Sequence, residues 1–259
     1  QIPFIKSWPE DGGHFATLPL VYTENLEEGM HNLGMYRMQR FGVRETGMHW
    51  QIHKGGGYHF HNASGQKVPL EVSVFFGGAP AMILAAVAPL PENVGELLLA
   101  SLRIGQKVAL VERGESHPLV AEAEFALSGK IYPEELRQEG PFGDHYGYYS
   151  LEHPYPVFRV EDIYHRKDAI LPVTVVGKPR QEDFIIGDYL QDLLSPVFPL
   201  VMSGVVKLWS YGEAGNHALA SAVVKERYPR EAMASAFAIL GQGQLSLTKF
   251  LLLLDKPME

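Results

Sequence analysis

The chain is 259 residues long, 46% hydrophobic and 20% charged, proportions of a globular protein with one large domain or two small ones. Its formal net charge is −8 and its 22 lysines and arginines are scattered, which argues against binding the phosphate backbone of nucleic acid. Without a cysteine it has no disulfide, no thiolate nucleophile and no cysteine-bound zinc or iron–sulfur centre.

In chain order, Asp11-Gly12-Gly13 reads as a turn. FATLPLVYT follows as a strand and ENLEEGMH as a polar connection. MYRMQRFGV, MHWQIH, LEVSVFFGG and MILAAVA read as short strands separated by turn signals. PENVGELLLASL, with a proline near its start and apolar residues at helical spacing, is the first clear helix. KVALVE, AEAEFALSG, PVFRVEDIYHR and AILPVTVVG form a second strand group.

After Gly177 the pattern changes. FIIGDYLQDLL, NHALASAVVKER and residues 231–240 read as helices, and residues 248–254 as a buried strand. The expected fold is α+β. Residues 1–195 form a barrel-like β core with peripheral helices, and residues 196–259 begin an α/β domain. AMILAAVAPL and KFLLLLD are too short to cross a bilayer, and no basic segment leading into an apolar core opens the chain. A cytoplasmic protein is expected, and the opening Gln1 suggests a processed or truncated form of a longer chain.

Several side chains carry chemistry. In EGPFGDHYGYY, Glu139 and Asp144 lie five residues apart around a Pro-Phe-Gly turn, with three tyrosines beside them. Such a loop either gives two carboxyl groups different tasks or is a surface turn with solvated charges. In HNLGMYRMQR a strand would place Asn32, Gly34 and Tyr36 on one face and Met35 and Arg37 on the other. Arg37 is either a partly buried cation in need of a carboxylate or a rim arginine. His59 and His61 in YHFHN would share a strand face, which suits either a metal or a polar sheet face. Gly55 to Gly57 let a backbone approach a ligand or form a hairpin. No dinucleotide or phosphate-loop fingerprint occurs. Lys249, after GQGQ, is a weak phosphate-binding candidate.

Together, DGGHF, NLGMYRMQ, WQIHKGGG, the segment around Glu96, AEAEFALSG, EGPFGDHYGYY and VVGKPRQED resemble the UbiD family of prenylated-FMN-dependent decarboxylases, over nearly the whole chain. The resemblance implies a flavin-reductase-like split β-barrel, followed by the start of a C-terminal oligomerisation domain. It implies a divalent metal, Mn²⁺ or Mg²⁺, held by Asn32, His53 and Glu96, and a K⁺ near Ala85–Ala88 and Glu96. Cofactor contacts fall on Thr17, Asn32, Gly34, Met35, Arg37, His53, Ile186 and Lys249.

The catalytic set it implies is Arg37, Glu139 and Asp144, the aspartate standing where the commoner pattern has glutamate. Arg37 grips the carboxylate of an aromatic or α,β-unsaturated acid. Glu139 holds Arg37, and Asp144, with its pKa raised by the tyrosines, returns the proton after reversible loss of CO₂. A flavin prenyltransferase supplies the cofactor, and a homo-oligomer, dimer or hexamer, is the expected assembly. The alternatives are a flavin- or metal-binding module without decarboxylase activity and an FMN reductase.

Overall fold

The structure is a computed structural model that describes residues 2–27, 29–51, 54–90, 94–114, 116–216 and 218–256. It divides into two compact units, residues 1–144 with 148–176, and residues 145–147 with 177–259. The division falls ahead of the helix after which the sequence reading drew it.

In the first unit the chain runs through β1 (Phe15–Ala16), β2 (Leu20–Glu24), β3 (His31–Met35), β4 (Met38–Gln39) and β5 (Glu45–Gly47). It continues through α1 (Gly55–Gln66), β6 (Leu70–Phe76), α2 (Pro80–Val87) and α3 (Glu96–Ile104). Last come β7 (Leu110–Arg113), β8 (Ser116–Val120), β9 (Phe125–Glu139) and β10 (His153–His165). Six strands form an antiparallel sheet in the order β3-β2-β6-β9-β10-β5, while β1 pairs with β4 and β7 with β8. The sheet is open, with β3 and β5 at its edges, and no closed barrel occurs among the described residues.

Both sheet faces are buried. Val21, Val72, Val74, Leu127 and Phe158 pack on one side with Ala63 of α1. Leu20, Tyr22, Leu33 and Phe75 pack on the other with Met82 and Ala85 of α2 and Ala100 of α3. This two-sided burial explains why LVYT and VSVFF read as nearly continuous apolar runs rather than alternating ones.

Several elements depart from the sequence expectation. MILAAVA belongs to helix α2, with Pro80 in its first turn; a short apolar run lacks the periodicity to distinguish helix from strand. YHFHN lies in α1, so its two histidines do not share a strand face. MHWQIH contributes no strand at residues 48–51, and the predicted strand AILPVTVVG is irregular. The helix expected from Pro91 starts at Glu96; residues 91–93 lie outside the described ones.

The second unit holds α4 (Glu182–Leu194), α5 (Phe198–Val201), β11 (Val205–Ser210), β12 (Leu219–Val224), α6 (Glu231–Leu240) and β13 (Phe250–Leu254). Strand β12 pairs antiparallel with β11 and parallel with β13. It replaces the predicted helix over NHALASAVVKER, because Ala220, Ala222 and Val224 alternate into the core at strand period. The strand at the end of the chain is present but not buried throughout, since Phe250 and Leu252 are exposed. The helical run Glu182–Val201 spans 20 residues and contains an 18-residue window with a mean hydropathy of 1.2. By length and composition alone it could cross a membrane, which the apolar runs picked out from sequence could not. It carries Asp188 and Asp192, and it passes through a 3₁₀ turn at Ser195–Val197.

Candidate active site

Arg37 sits in the two-residue break between β3 and β4 rather than on a strand. The break is packed in place. Tyr36 folds beneath Gly34, where a Cβ would lie 2.5 Å from its ring. Its hydroxyl accepts the Gly56 N–H at 3.1 Å, and Trp50 meets its ring edge-on at 4.9 Å. Burial pushes the Tyr36 hydroxyl up to about 12, so it stays a neutral hydrogen-bonding group.

The acid-bearing loop is built by its glycines. Glu139 ends β9 and pairs with His153 at the start of β10, so the ladder holds it. A Cβ on Gly12 would stand 1.8 Å from the Gly140 carbonyl oxygen, and the Gly12 N–H donates to Pro141 O at 2.8 Å. Asp11 accepts the Gly143 N–H at 2.8 Å with one carboxylate oxygen. With the other it accepts the N–H groups of Ser7 and Trp8, at 3.0 and 2.9 Å. The DGG turn and the PFG turn, far apart in sequence, thus interlock.

This frame brings the three expected residues together. Arg37 Nη2 lies 2.9 Å and its Nε 3.1 Å from Glu139 Oε1. Arg37 Nη1 lies 3.3 Å from Asp144 Oδ2, and the guanidinium stacks over Phe142 at 4.5 Å. Glu139 is 1% exposed and Asp144 28%, so one carboxylate is sealed while the other reaches water. Tyr148 and Tyr149, two of the tyrosines in the loop, are exposed.

Sequence reasoning missed His49, Ser150 and Tyr155. His49 Nδ1 donates to Glu139 Oε2 at 2.5 Å, and Ser150 Oγ accepts from Arg37 Nη2 at 3.4 Å. Only a carboxylate expected to need two donors would have pointed to a second partner.

Burial alone would raise the Glu139 pKa, but the His49 hydrogen bond and the Arg37 charge outweigh it and hold it below the usual glutamate value of 4.5. A depressed folded-state value means that this pairing stabilises fully above the unfolded value and that the gain disappears as pH falls through the folded one. Acid unfolding followed by circular dichroism should therefore show stability falling more steeply below pH 4.5 in the wild type than in Glu139→Gln.

Of the expected metal ligands, His53 lies outside the described residues. Asn32, on β3, has a buried Nδ2 without a partner among the described residues. Glu96, at the start of α3, accepts the Leu33 N–H at 2.9 Å through Oε2, and burial raises its pKa. An amide oxygen and a carboxylate suit a hard cation such as Mn²⁺ or Mg²⁺. No group of three or more His, Asp or Glu that could hold a metal is found among the described residues; the expected set includes an amide and His53.

A Cβ on Gly55 would lie 2.2 Å from Asn32 Oδ1, so Gly55 is a close approach to this amide, and the three glycines of WQIHKGGG open α1 rather than a hairpin. Lys54 beside them, over the Tyr36 ring at 5.5 Å, is brought down to about 8 by burial. Gly34 and Met35 end β3, and Thr17 Oγ1 accepts the Thr174 N–H at 3.0 Å. Ile186 lies on α4 and Lys249 directly before β13, both in the second unit. His59 is buried and its Nδ1 pairs with Thr23 Oγ1 at 2.8 Å. Burial brings it down to about 4, making it a satisfied core histidine.

Two family models match the chain. The 3-octaprenyl-4-hydroxybenzoate carboxy-lyase Rift-related domain covers residues 1–179, and the C-terminal domain of the same enzyme covers 184–259. The chain is 58% identical over 259 residues to a Chlamydia pneumoniae protein named as a subunit of 4-hydroxybenzoate decarboxylase, covering all of this chain and 44% of that one. It is 42% identical to an Archaeoglobus fulgidus protein, covering all of this chain and 54% of the relative. It spans about 45% of the length of the chlamydial relatives it matches.

Among solved structures, vanillic acid decarboxylase of Sedimentibacter hydroxybenzoicus in closed form aligns with TM-score 0.88 at 23% identity, over 97% of this chain and 54% of that one. An evolved dimeric form of the enzyme HmfF from Pelotomaculum thermopropionicum, in complex with prenylated FMN, aligns with TM-score 0.84 at 23% identity, over 97% and 58%. These likenesses establish a shared mixed α/β fold. With both of its domain models matched along its length, this chain belongs to the UbiD family of carboxy-lyases.

Proposed function

We propose that the protein decarboxylates, reversibly, an aromatic or α,β-unsaturated carboxylic acid with prenylated FMN and a divalent metal. The observation that carries this reading is one guanidinium shared between a sealed carboxylate, Glu139, and a solvent-reaching one, Asp144. The relatives' names, 4-hydroxybenzoate and vanillic acid decarboxylase, fit such a substrate class. The open sheet of the first unit is read as the flavin platform of a split barrel, and the second unit as the beginning of an oligomerisation domain.

Arg37 binds the substrate carboxylate, a planar acceptor matched to its planar donors. Glu139 neutralises Arg37 when no substrate is present and fixes its orientation. Prenylated FMN, when bound, supplies the electron sink that the departing carboxylate requires. Asp144, as its acid, delivers a proton to the carbon that has lost CO₂. It is left as a carboxylate beside Arg37 and recovers its proton from water at its exposed edge. Charge and protons balance, since one carboxylate and one proton become CO₂ and a C–H bond.

Asn32, His53 and Glu96 would hold Mn²⁺ or Mg²⁺ against the cofactor phosphate, with K⁺ beside Glu96 and the Ala85–Ala88 carbonyls. Thr17, Gly34, Met35, Ile186 and Lys249 would complete the cofactor contacts. The cofactor would come from a flavin prenyltransferase in the cytoplasm, and a homo-oligomer would be the working form.

The decisive experiment is CO₂ release from a panel of aromatic and acrylic acids by protein co-expressed with a flavin prenyltransferase. Flavin-loaded protein that releases no CO₂ from any of them would overturn the reading in favour of a binding module, and NAD(P)H oxidation would favour a reductase. The metal assignment has its own check. Gly55→Ala pushes a methyl group into Asn32 Oδ1 and should weaken Mn²⁺ binding about ten- to a hundredfold, as displaced metal-site partners do. Titration followed by electron paramagnetic resonance measures this; an unchanged affinity would remove Asn32 from the ligand set.

A further inference from the structure

We infer that His49 is a positioning residue that locks Glu139, and through it Arg37, in the orientation that receives a carboxylate; this rests on the decarboxylase reading of the site. Glu139 Oε1 is taken by two guanidinium nitrogens of Arg37, and Oε2 by His49 Nδ1 at 2.5 Å. A buried carboxylate held at one oxygen can rotate about its last bond; held at both, it cannot. His49 is fixed in turn. It follows β5, and its N–H donates to the Arg37 carbonyl at 3.3 Å, so its backbone ties it to Arg37 and its side chain ties it to Glu139. Its ring lies against Tyr155 with centroids 4.2 Å apart, and Nε2 lies 3.4 Å from the Tyr155 hydroxyl.

A carboxylate only accepts, so Nδ1 carries a proton, and the Tyr155 hydroxyl is the hydrogen-bond partner of Nε2. His49 thus presents one donor to Glu139 and leaves Arg37 Nη1 and Nη2 turned toward Asp144 and Ser150, where an incoming carboxylate would displace or join them. Its role is distinct from that of Asp144. It moves no proton to the substrate and touches no reacting atom.

The test is binding of benzoate, a non-reacting probe, to the full-length, flavin-loaded protein, read by flavin fluorescence with and without His49→Phe and His49→Asn. Phenylalanine keeps the ring against Tyr155 but removes the donor. Asparagine returns an amide N–H at the Nδ1 position. The expected result is a rise in Kd of about tenfold in His49→Phe, the loss of one charge-assisted hydrogen bond's alignment, recovered to within about threefold in His49→Asn. Melting temperatures of both variants are measured alongside, since a purely structural role lowers stability without selective rescue by asparagine.

Unchanged benzoate affinity in His49→Phe overturns the inference, and so does a loss that asparagine fails to restore in a folded protein. Wild-type protein that binds no benzoate overturns it as well, by removing Arg37 as a carboxylate site. Wild-type protein that binds benzoate with the expected dependence on His49, yet releases no CO₂ from any acid, supports the positioning role and overturns the decarboxylase reading alone.

Discussion

Asp144→Asn should lower turnover by about a hundred- to ten-thousandfold, the range of a lost general acid, while flavin content and melting temperature stay near wild type. The asparagine keeps the size of the side chain and can still face Arg37, but its amide donates no acidic proton. Loss of binding is not expected, because the Glu139 contact to Arg37 is independent of the loop that carries Asp144. The measurement is kcat with the best acid from the panel, together with the visible spectrum of the purified variant. Near-normal kcat would remove Asp144 from the proton-donor role and move attention to water or to Glu139. The last is disfavoured because both oxygens of Glu139 are already engaged.

The second large effect concerns stability as well as activity. Arg37→Leu leaves Glu139, 1% exposed, as a buried carboxylate with His49 as its remaining partner. Breaking one side of a buried ion pair costs about 3–5 kcal/mol, so urea unfolding should show a large fall in midpoint. Carboxylate binding should be lost with it. Arg37→Leu combined with Glu139→Gln removes the stranded charge as well. If the pairing argument holds, the double variant is more stable than Arg37→Leu alone. A double variant as unstable as the single one would mean that the leucine fails for reasons of shape, by losing the stack over Phe142.

The chemistry of the site was more legible in sequence than the elements that carry it. The acid loop and the arginine each had a structural explanation on local grounds, and the family resemblance joined Glu139, Asp144 and Arg37 as one set, which the structure brings together. The elements around them were harder. His59 and His61 looked like a strand pair because YHFHN alternates, but the three glycines before it open a helix. Glycine is a poor helix former, and its place here is set by the closeness of Asn32 and Trp50. NHALASAVV and MILAAVA were exchanged in type for one reason: alanine-rich runs carry no strong period, so tertiary packing decides. His49 was invisible because its role depends on a contact 90 residues away. The barrel-like core was read from strand count and the split barrel from the family resemblance, and strand count says nothing about whether the edges meet.

The hairpin of β9 and β10 has one further consequence. Its ladder ends at Glu139 and resumes at His153, so the counter-ion belongs to the sheet while the acid belongs to the span between. Any displacement of that span carries Asp144 away from the cation and leaves Glu139 behind to keep it neutral. On the role proposed for Asp144, the proton carrier could leave the cation while Glu139 keeps that cation neutral. Substitutions within the span can likewise re-aim the acid for a different substrate while the anchor beneath stays the same.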